Sequence, residues 1–200
     1  MGRHKRLAIV LASAMAFWGT EAVRAGVPDR VLTVRVYNNG GLPSAEVVAA
    51  AETTAGPLLS STGIQVLFRF CGMPVPCDGP LGPGDVIVRI IRAPADVSDR
   101  AYGVAHVLPP HDQGWLASVF ADRIAAGAAR AGLAPRQLLG LVMAHEVGHL
   151  LLGEAHSPTG LMSARWHDTV LKRDGAAADA PVWRFTEDQA SVMQERLNER

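Results

Sequence analysis

Two histidines and a glutamate lie within one five-residue stretch, His145-Glu146-Val147-Gly148-His149. On a helix, residues four apart face the same way, so both imidazoles can reach one metal ion. Zinc suits imidazole ligands, and a catalytic zinc site uses three protein ligands plus a water molecule. Glu146 points in a different direction from the first histidine, and from there it can hold the metal-bound water and take its proton. The stretch therefore predicts a zinc site with a general base.

The segment around this stretch is apolar on nearly every side, which predicts a buried helix over residues 135–152. Unpaired imidazoles are costly to bury, so the two histidines indicate a bound ion; satisfied core histidines are the alternative. Gly153 ends the apolar run and is a natural left-handed cap. His156 follows Gly153 by three residues, where a chain that turns at the glycine can return a third ligand.

Residues 145–162, HEVGHLLLGEAHSPTGLM, resemble the metzincin metallopeptidases, nearest the matrixin branch. Those enzymes carry His-Glu-x-x-His-x-x-Gly-x-x-His, followed by a tight turn with a methionine below the zinc. The resemblance implies roles for six residues: zinc ligands His145, His149 and His156, general base Glu146, turn glycine Gly153 and Met-turn residue Met162.

The sequence departs from the family pattern at one place. The family has two residues between the second histidine and the glycine, whereas three leucines stand here at 150–152. A helix that runs one residue longer before its turn accommodates the insertion, and the step from Gly153 to His156 is unchanged. Three rivals to His156 stay open: Glu154, His167 and, in a thermolysin-like arrangement, Glu187.

The elements around the helix follow a mixed α/β order. Apolar alternation and β-branched runs predict strands over residues 31–37, 64–70, 86–91, 102–108 and 117–124. Helical spacing predicts helices over residues 43–60 and 135–152. A last helix starts at Thr186, where Gln189 completes a capping box.

The resemblance also implies a fold, the zincin-like fold of metzincins. It has a mixed twisted sheet with an antiparallel edge strand, a buried active-site helix and a C-terminal helix. In metzincins the substrate adds to that edge by main-chain hydrogen bonds. We expect the edge at Gly103, Val104 and Ala105, and we expect Trp166 to wall the pocket beyond the scissile bond.

The first 25 residues predict a signal peptide. A basic start at residues 3–6 precedes an apolar stretch over residues 7–18, and Val23-Arg24-Ala25 offers small residues for cleavage. The apolar stretch is too short for a membrane span, which needs about 20 residues, although an uncleaved anchor is the alternative. We therefore expect an exported protein, secreted or periplasmic, in which residues 26–200 form one catalytic domain.

Cys71 and Cys77 are the two cysteines, and in an exported chain their spacing predicts a disulfide that closes a small loop. A metal pair is the weaker reading, because the spacing is wider than that of a zinc knuckle.

The composition is that of a globular protein, with 48% hydrophobic and 19% charged residues. The formal net charge of +0 argues against a nucleic-acid partner. We expect a monomeric zinc-dependent endopeptidase that binds one catalytic zinc ion and peptide or protein substrates, with no stable membrane span after cleavage. The alternative function is an exported zinc-binding protein without peptidase activity.

Overall fold

The computed structural model describes residues 31–38, 43–72, 76–108, 113–166, 171 and 183–200. The predicted signal peptide and the domain boundary at residue 26 lie outside these ranges, as does His167. The signal peptide and the domain boundary remain predictions.

Five strands form one sheet in the order β2-β1-β3-β5-β4. Their bounds are β1 Leu32–Asn38, β2 Val66–Cys71, β3 Asp85–Ile91, β4 Gly103–Leu108 and β5 Gln113–Phe120. β1 runs parallel to β2 and β3, and β3 runs parallel to β5. β4 runs antiparallel to β5 at the end of the order. The predicted mixed sheet with an antiparallel edge strand is therefore confirmed.

Helices cover one face of this sheet. Alternate strand residues are fully buried beneath α1 (Ala45–Ser60) and α3 (Pro135–Leu152), namely Leu32, Val34, Val36, Val86, Val88 and Ile90. Each such side chain contributes about 2 kcal/mol when removed from water. α3 is buried from Leu138 to Leu151, because it lies between the sheet, α1 and the last helix, α4 (Glu187–Asn198). This core holds the predicted active-site helix rigidly in place.

The segment after β5 differs from the prediction. The strand expected over residues 117–124 begins earlier and ends at Phe120, and α2 (Ala121–Ala131) follows at once. Apolar residues continue across the boundary to Ala121, and the polar pair Asp122-Arg123 lies inside the first turn of α2, so no polar residue marks where the period changes. Alanine, the best helix former, dominates the segment. Ile124 and Ala128 face the core at helical spacing, and Gly132 caps the helix in the left-handed region with φ 68°.

A disulfide joins Cys71 and Cys77, as predicted. On the sheet face away from the helices, buried Arg35 forms an ion pair with Asp85 and donates to the carbonyls of Gly79 and Pro80 at 2.7 Å. This network was not predicted from the sequence. Within the described ranges, none of the helices has the length and apolar character needed to cross a bilayer.

Candidate metal centre and its cleft

Three histidine side chains meet at the middle of the molecule. The Nε2 atom of His149 lies 3.1 Å from that of His145 and 3.2 Å from that of His156. A tetrahedral zinc with bonds of about 2.0–2.1 Å holds its ligand nitrogens about 3.3 Å apart. The spacing of the three nitrogens therefore fits one tetrahedral ion, with a fourth position left for a water molecule.

Backbone carbonyls fix which ring nitrogen faces the centre. The Nδ1–H of His145 donates to Leu161 O at 2.7 Å, and the Nδ1–H of His149 donates to Gly153 O at 2.8 Å. A neutral imidazole that donates from Nδ1 carries a lone pair on Nε2, so the two Nε2 atoms face each other as acceptors.

The charge state of the two rings favours a cation between them. Burial, together with the neighbouring His149, lowers the pKa of His145 to about 3. Burial also lowers the pKa of His149. Both rings are therefore neutral near pH 7, and two neutral acceptors at hydrogen-bond distance need a cation to hold them. The donor set and its charge fit zinc.

The turn after α3 brings His156 to the other two histidines. α3 runs on to Leu152, so the extra leucine lengthens the helix by one residue. Gly153 then turns the chain with φ 94°, a conformation that favours glycine, and its N–H donates to His149 O at 2.9 Å. The guanidinium of Arg200 donates to Leu150 O at 2.6 Å and so binds one of the free carbonyls at this helix end.

Met162 lies in a tight turn that packs against α3 at Gly148. Its carbonyl accepts from the Ser157 N–H at 2.9 Å, and its side chain is fully buried. A Cβ placed on Gly148 would be 2.6 Å from Met162 Sδ and 2.8 Å from Phe185 Cε1. Gly148 has no side chain, and this lets the turn that holds Met162 pack directly against α3.

We expect Gly148→Ala to destabilise the protein by about 1–3 kcal/mol, since two buried side chains must move to admit the methyl group. The gain in helix propensity, at most about 1 kcal/mol, does not offset this. Urea unfolding of the metal-free protein measures the change. Gly56→Ala in α1 is the matched control, because its methyl would meet only Phe68 Cε2 at 3.9 Å. Equal stability of the two variants would contradict the packing role of Gly148.

Glu146 is buried on α3, and its carboxyl group lies against β4 at Gly103. Burial raises the pKa of its carboxyl to about 8, against the opposing effect of a hydrogen bond from the Ala105 N–H. A group that takes and returns protons works best when its pKa lies near the working pH. A carboxyl group in this environment can exchange protons near neutral pH.

β4 borders an open cleft of about 1280 Å³ that leads to the histidines. The Phe120 N–H donates to Tyr102 O at 2.9 Å, so the main-chain groups of Tyr102 point toward β5. In an antiparallel pair every second residue does so, and Val104 therefore directs its main-chain groups toward β5 as well. Gly103 and Ala105 alternate with these residues and direct their N–H and C=O groups away from β5. Of the three predicted edge residues, these two have main-chain groups that the sheet does not use.

The walls of the cleft include predicted and unpredicted residues. Trp166 lines it, as expected, and stacks edge-on against the His145 ring with centroids 5.2 Å apart. Arg123 of α2 lines the other end and donates to the carbonyls of Val97 and Ala101, which fixes the segment before β4. Arg123 was not predicted to line the cleft, because the helix that carries it, α2, was not predicted.

The other residues considered as the third metal ligand lie outside the group of three histidines. Within the described ranges, the side chains that can share one metal ion are His145, His149 and His156. Glu154 is exposed in the cleft outside this group, and Glu187 is exposed in the first turn of α4. His106, on β4, is exposed and lies beside Ser118 rather than in the cleft.

Comparisons with known proteins bear on the fold. No protein-family model matches the sequence. No curated protein matches it significantly. Among solved structures, an archaemetzincin from Methanopyrus kandleri is similar, with a TM-score of 0.51 and 17% sequence identity over 84% of this chain and 96% of that chain. At this identity the similarity concerns the fold, and it supports a zincin-like architecture. The narrower expectation of a matrixin-like branch gains no support.

Proposed function

We propose that this protein is a zinc-dependent peptidase of the metzincin type. The observation that carries the proposal is the convergence of three imidazole Nε2 atoms, two of them fixed by Nδ1–H bonds to backbone carbonyls, beside a buried carboxyl group. The name of the structurally similar archaemetzincin points to the same class of zinc peptidase. Membership of the matrixin branch is not part of the proposal.

The chain's own residues divide the chemistry between them. Zinc held by His145, His149 and His156 would polarise the scissile carbonyl and lower the pKa of a water molecule in the cleft. Glu146 takes a proton from that water and passes it to the leaving amine. No covalent intermediate with the protein is needed, since the attacking oxygen comes from water.

The substrate is a peptide or an unfolded protein segment in extended conformation. The outward N–H and C=O groups of Gly103 and the outward C=O of Ala105 let such a segment add to the sheet edge, and the cleft is open enough to admit it. The predicted signal peptide and the disulfide support export of the enzyme, since disulfides persist in oxidising compartments. We further propose that it acts as a monomer.

The test uses the protein without residues 1–25 and a reduced, alkylated protein as substrate. We expect about one zinc ion per chain by mass spectrometry, loss of cleavage after removal of the metal by a chelator, and recovery on addition of zinc. Zinc bound at this ratio with no cleavage across a broad peptide library would contradict the proposal. That result would favour a zinc-binding protein without peptidase activity.

A further inference from the structure

Glu146 lies against β4 at a residue that has no side chain. A Cβ atom placed on Gly103 would be 2.6 Å from Glu146 Oε1 and 2.8 Å from both its Cδ and its Cγ. Non-bonded carbon and oxygen atoms do not approach this closely in packed interiors. The Glu146 side chain therefore fills the space that any larger residue at 103 would occupy.

The backbone at Gly103 does not itself require glycine, because its φ lies outside the left-handed region. The requirement comes from Glu146. A rotation of the carboxyl group would move its oxygens but leave Cγ and Cδ in place, so a residue with a side chain at 103 would force Glu146 into another rotamer. Glu146 is 5% exposed, which leaves little room for that change.

A displaced Glu146 would also lose its hydrogen bond from the Ala105 N–H. That N–H points away from β5 and takes no part in the sheet, so it is free to hold the carboxyl group. Gly103 and Ala105 thus form one binding position for the Glu146 side chain, which we call its seat. Gly103 supplies the space, and Ala105 supplies the donor.

We propose that Gly103 is a positioning residue for the general base, and that it acts by leaving this seat open. The inference rests on the proposed function, because it assigns Glu146 the role of base. The three atoms nearest to a Cβ on Gly103 all belong to Glu146, so we expect its effect to fall on proton transfer and not on zinc binding.

We expect Gly103→Ala to lower kcat by about 100-fold, the loss that follows a misplacement of about 1 Å at a reacting centre. KM should stay within about twofold, and the zinc content should be unchanged. Gly79→Ala is the matched control, because its methyl group would meet no atom within 4 Å, and it should leave all three values unchanged.

A second readout does not depend on activity. In the zinc-free protein, the amide proton resonance of Ala105 should move in Gly103→Ala to the position that it takes in Glu146→Ala, where the acceptor is absent. An unmoved resonance, or a kcat within about threefold of wild type, would overturn the inference. If the wild type binds zinc but cleaves nothing, the proposed function fails, and with it the role as base, while the Ala105 resonance still decides whether Gly103 seats Glu146.

Ala105→Pro tests the same seat if Gly103→Ala does not fold. Proline removes the N–H that holds Glu146 without removing a bond of the β4–β5 ladder, and edge strands tolerate it at such positions. We expect a similar fall in kcat with zinc retained. Wild-type kcat in this variant would overturn the inference.

Discussion

Glu146→Gln should retain zinc and lower kcat by about 10³-fold, within the range that general acid–base catalysis contributes. Glutamine keeps the size of the side chain and an oxygen that can accept from the Ala105 N–H, so the seat against β4 is preserved. It cannot take a proton from water. Measurements of kcat, KM and zinc content on the same preparation separate the loss of the base from a loss of the metal.

Glu154→Gln is the control for this result. Glu154 is exposed in the same cleft, so its substitution makes the same exchange of a carboxyl group for an amide without removing a buried carboxyl group. We expect its kcat to stay within about threefold of wild type. Full activity in Glu146→Gln would contradict the proposed mechanism, and a large loss in Glu154→Gln alone would assign the base to Glu154.

The active-site helix could be predicted because its signals are local. His145 and His149 stand four residues apart in an apolar run, and this spacing puts both imidazoles on one side of any helix. Gly153 marks the end of the helix for an equally local reason, since few other residues adopt its φ of 94°. Both positions in the fold follow from the properties of short segments.

Other parts of the site depend on contacts that are distant in sequence. The role that we propose for Gly103 follows from its distance to Glu146, which lies 43 positions further along the chain and on another element. Arg35 reads as an exposed residue of an alternating strand, yet it is buried through its pairing with Asp85. Such partners are set by the register of the sheet, which the pattern of one segment does not contain.

The start of α2 could not be predicted for a different reason. The apolar run of β5 continues into the first residue of α2, Ala121, and the polar pair Asp122-Arg123 comes only inside the first turn. The change of period from two to 3.6 is therefore not marked at the boundary itself. Phe120 takes the N-cap position without a side-chain hydrogen bond, so the usual Ser, Thr, Asp or Asn signal is missing as well. The helix forms because Ile124 and its inward neighbours reach the core.

His156→Ala should weaken zinc binding by more than about 100-fold, because the loss of partners that only orient a ligand already costs about 10–100-fold. Its Nε2 lies 3.2 Å from that of His149, and the ring reaches the centre only through the turn at Gly153. Competition with a chelator of known affinity measures the change. His106→Ala is the matched control, since His106 is exposed beside Ser118 and should leave the affinity unchanged.

The result for His156 also decides how the extra leucine is accommodated. A longer helix with the same turn keeps the third histidine as a ligand, whereas a misplaced turn would pass the role to Glu154 or to the distal Glu187. Zinc affinity equal to wild type in His156→Ala, with a loss in Glu154→Ala or Glu187→Ala, would contradict the three-histidine centre. We expect the reverse, because both carboxylates are exposed and lie outside the group of side chains that meet at one point. Removing either one takes away no atom of that group.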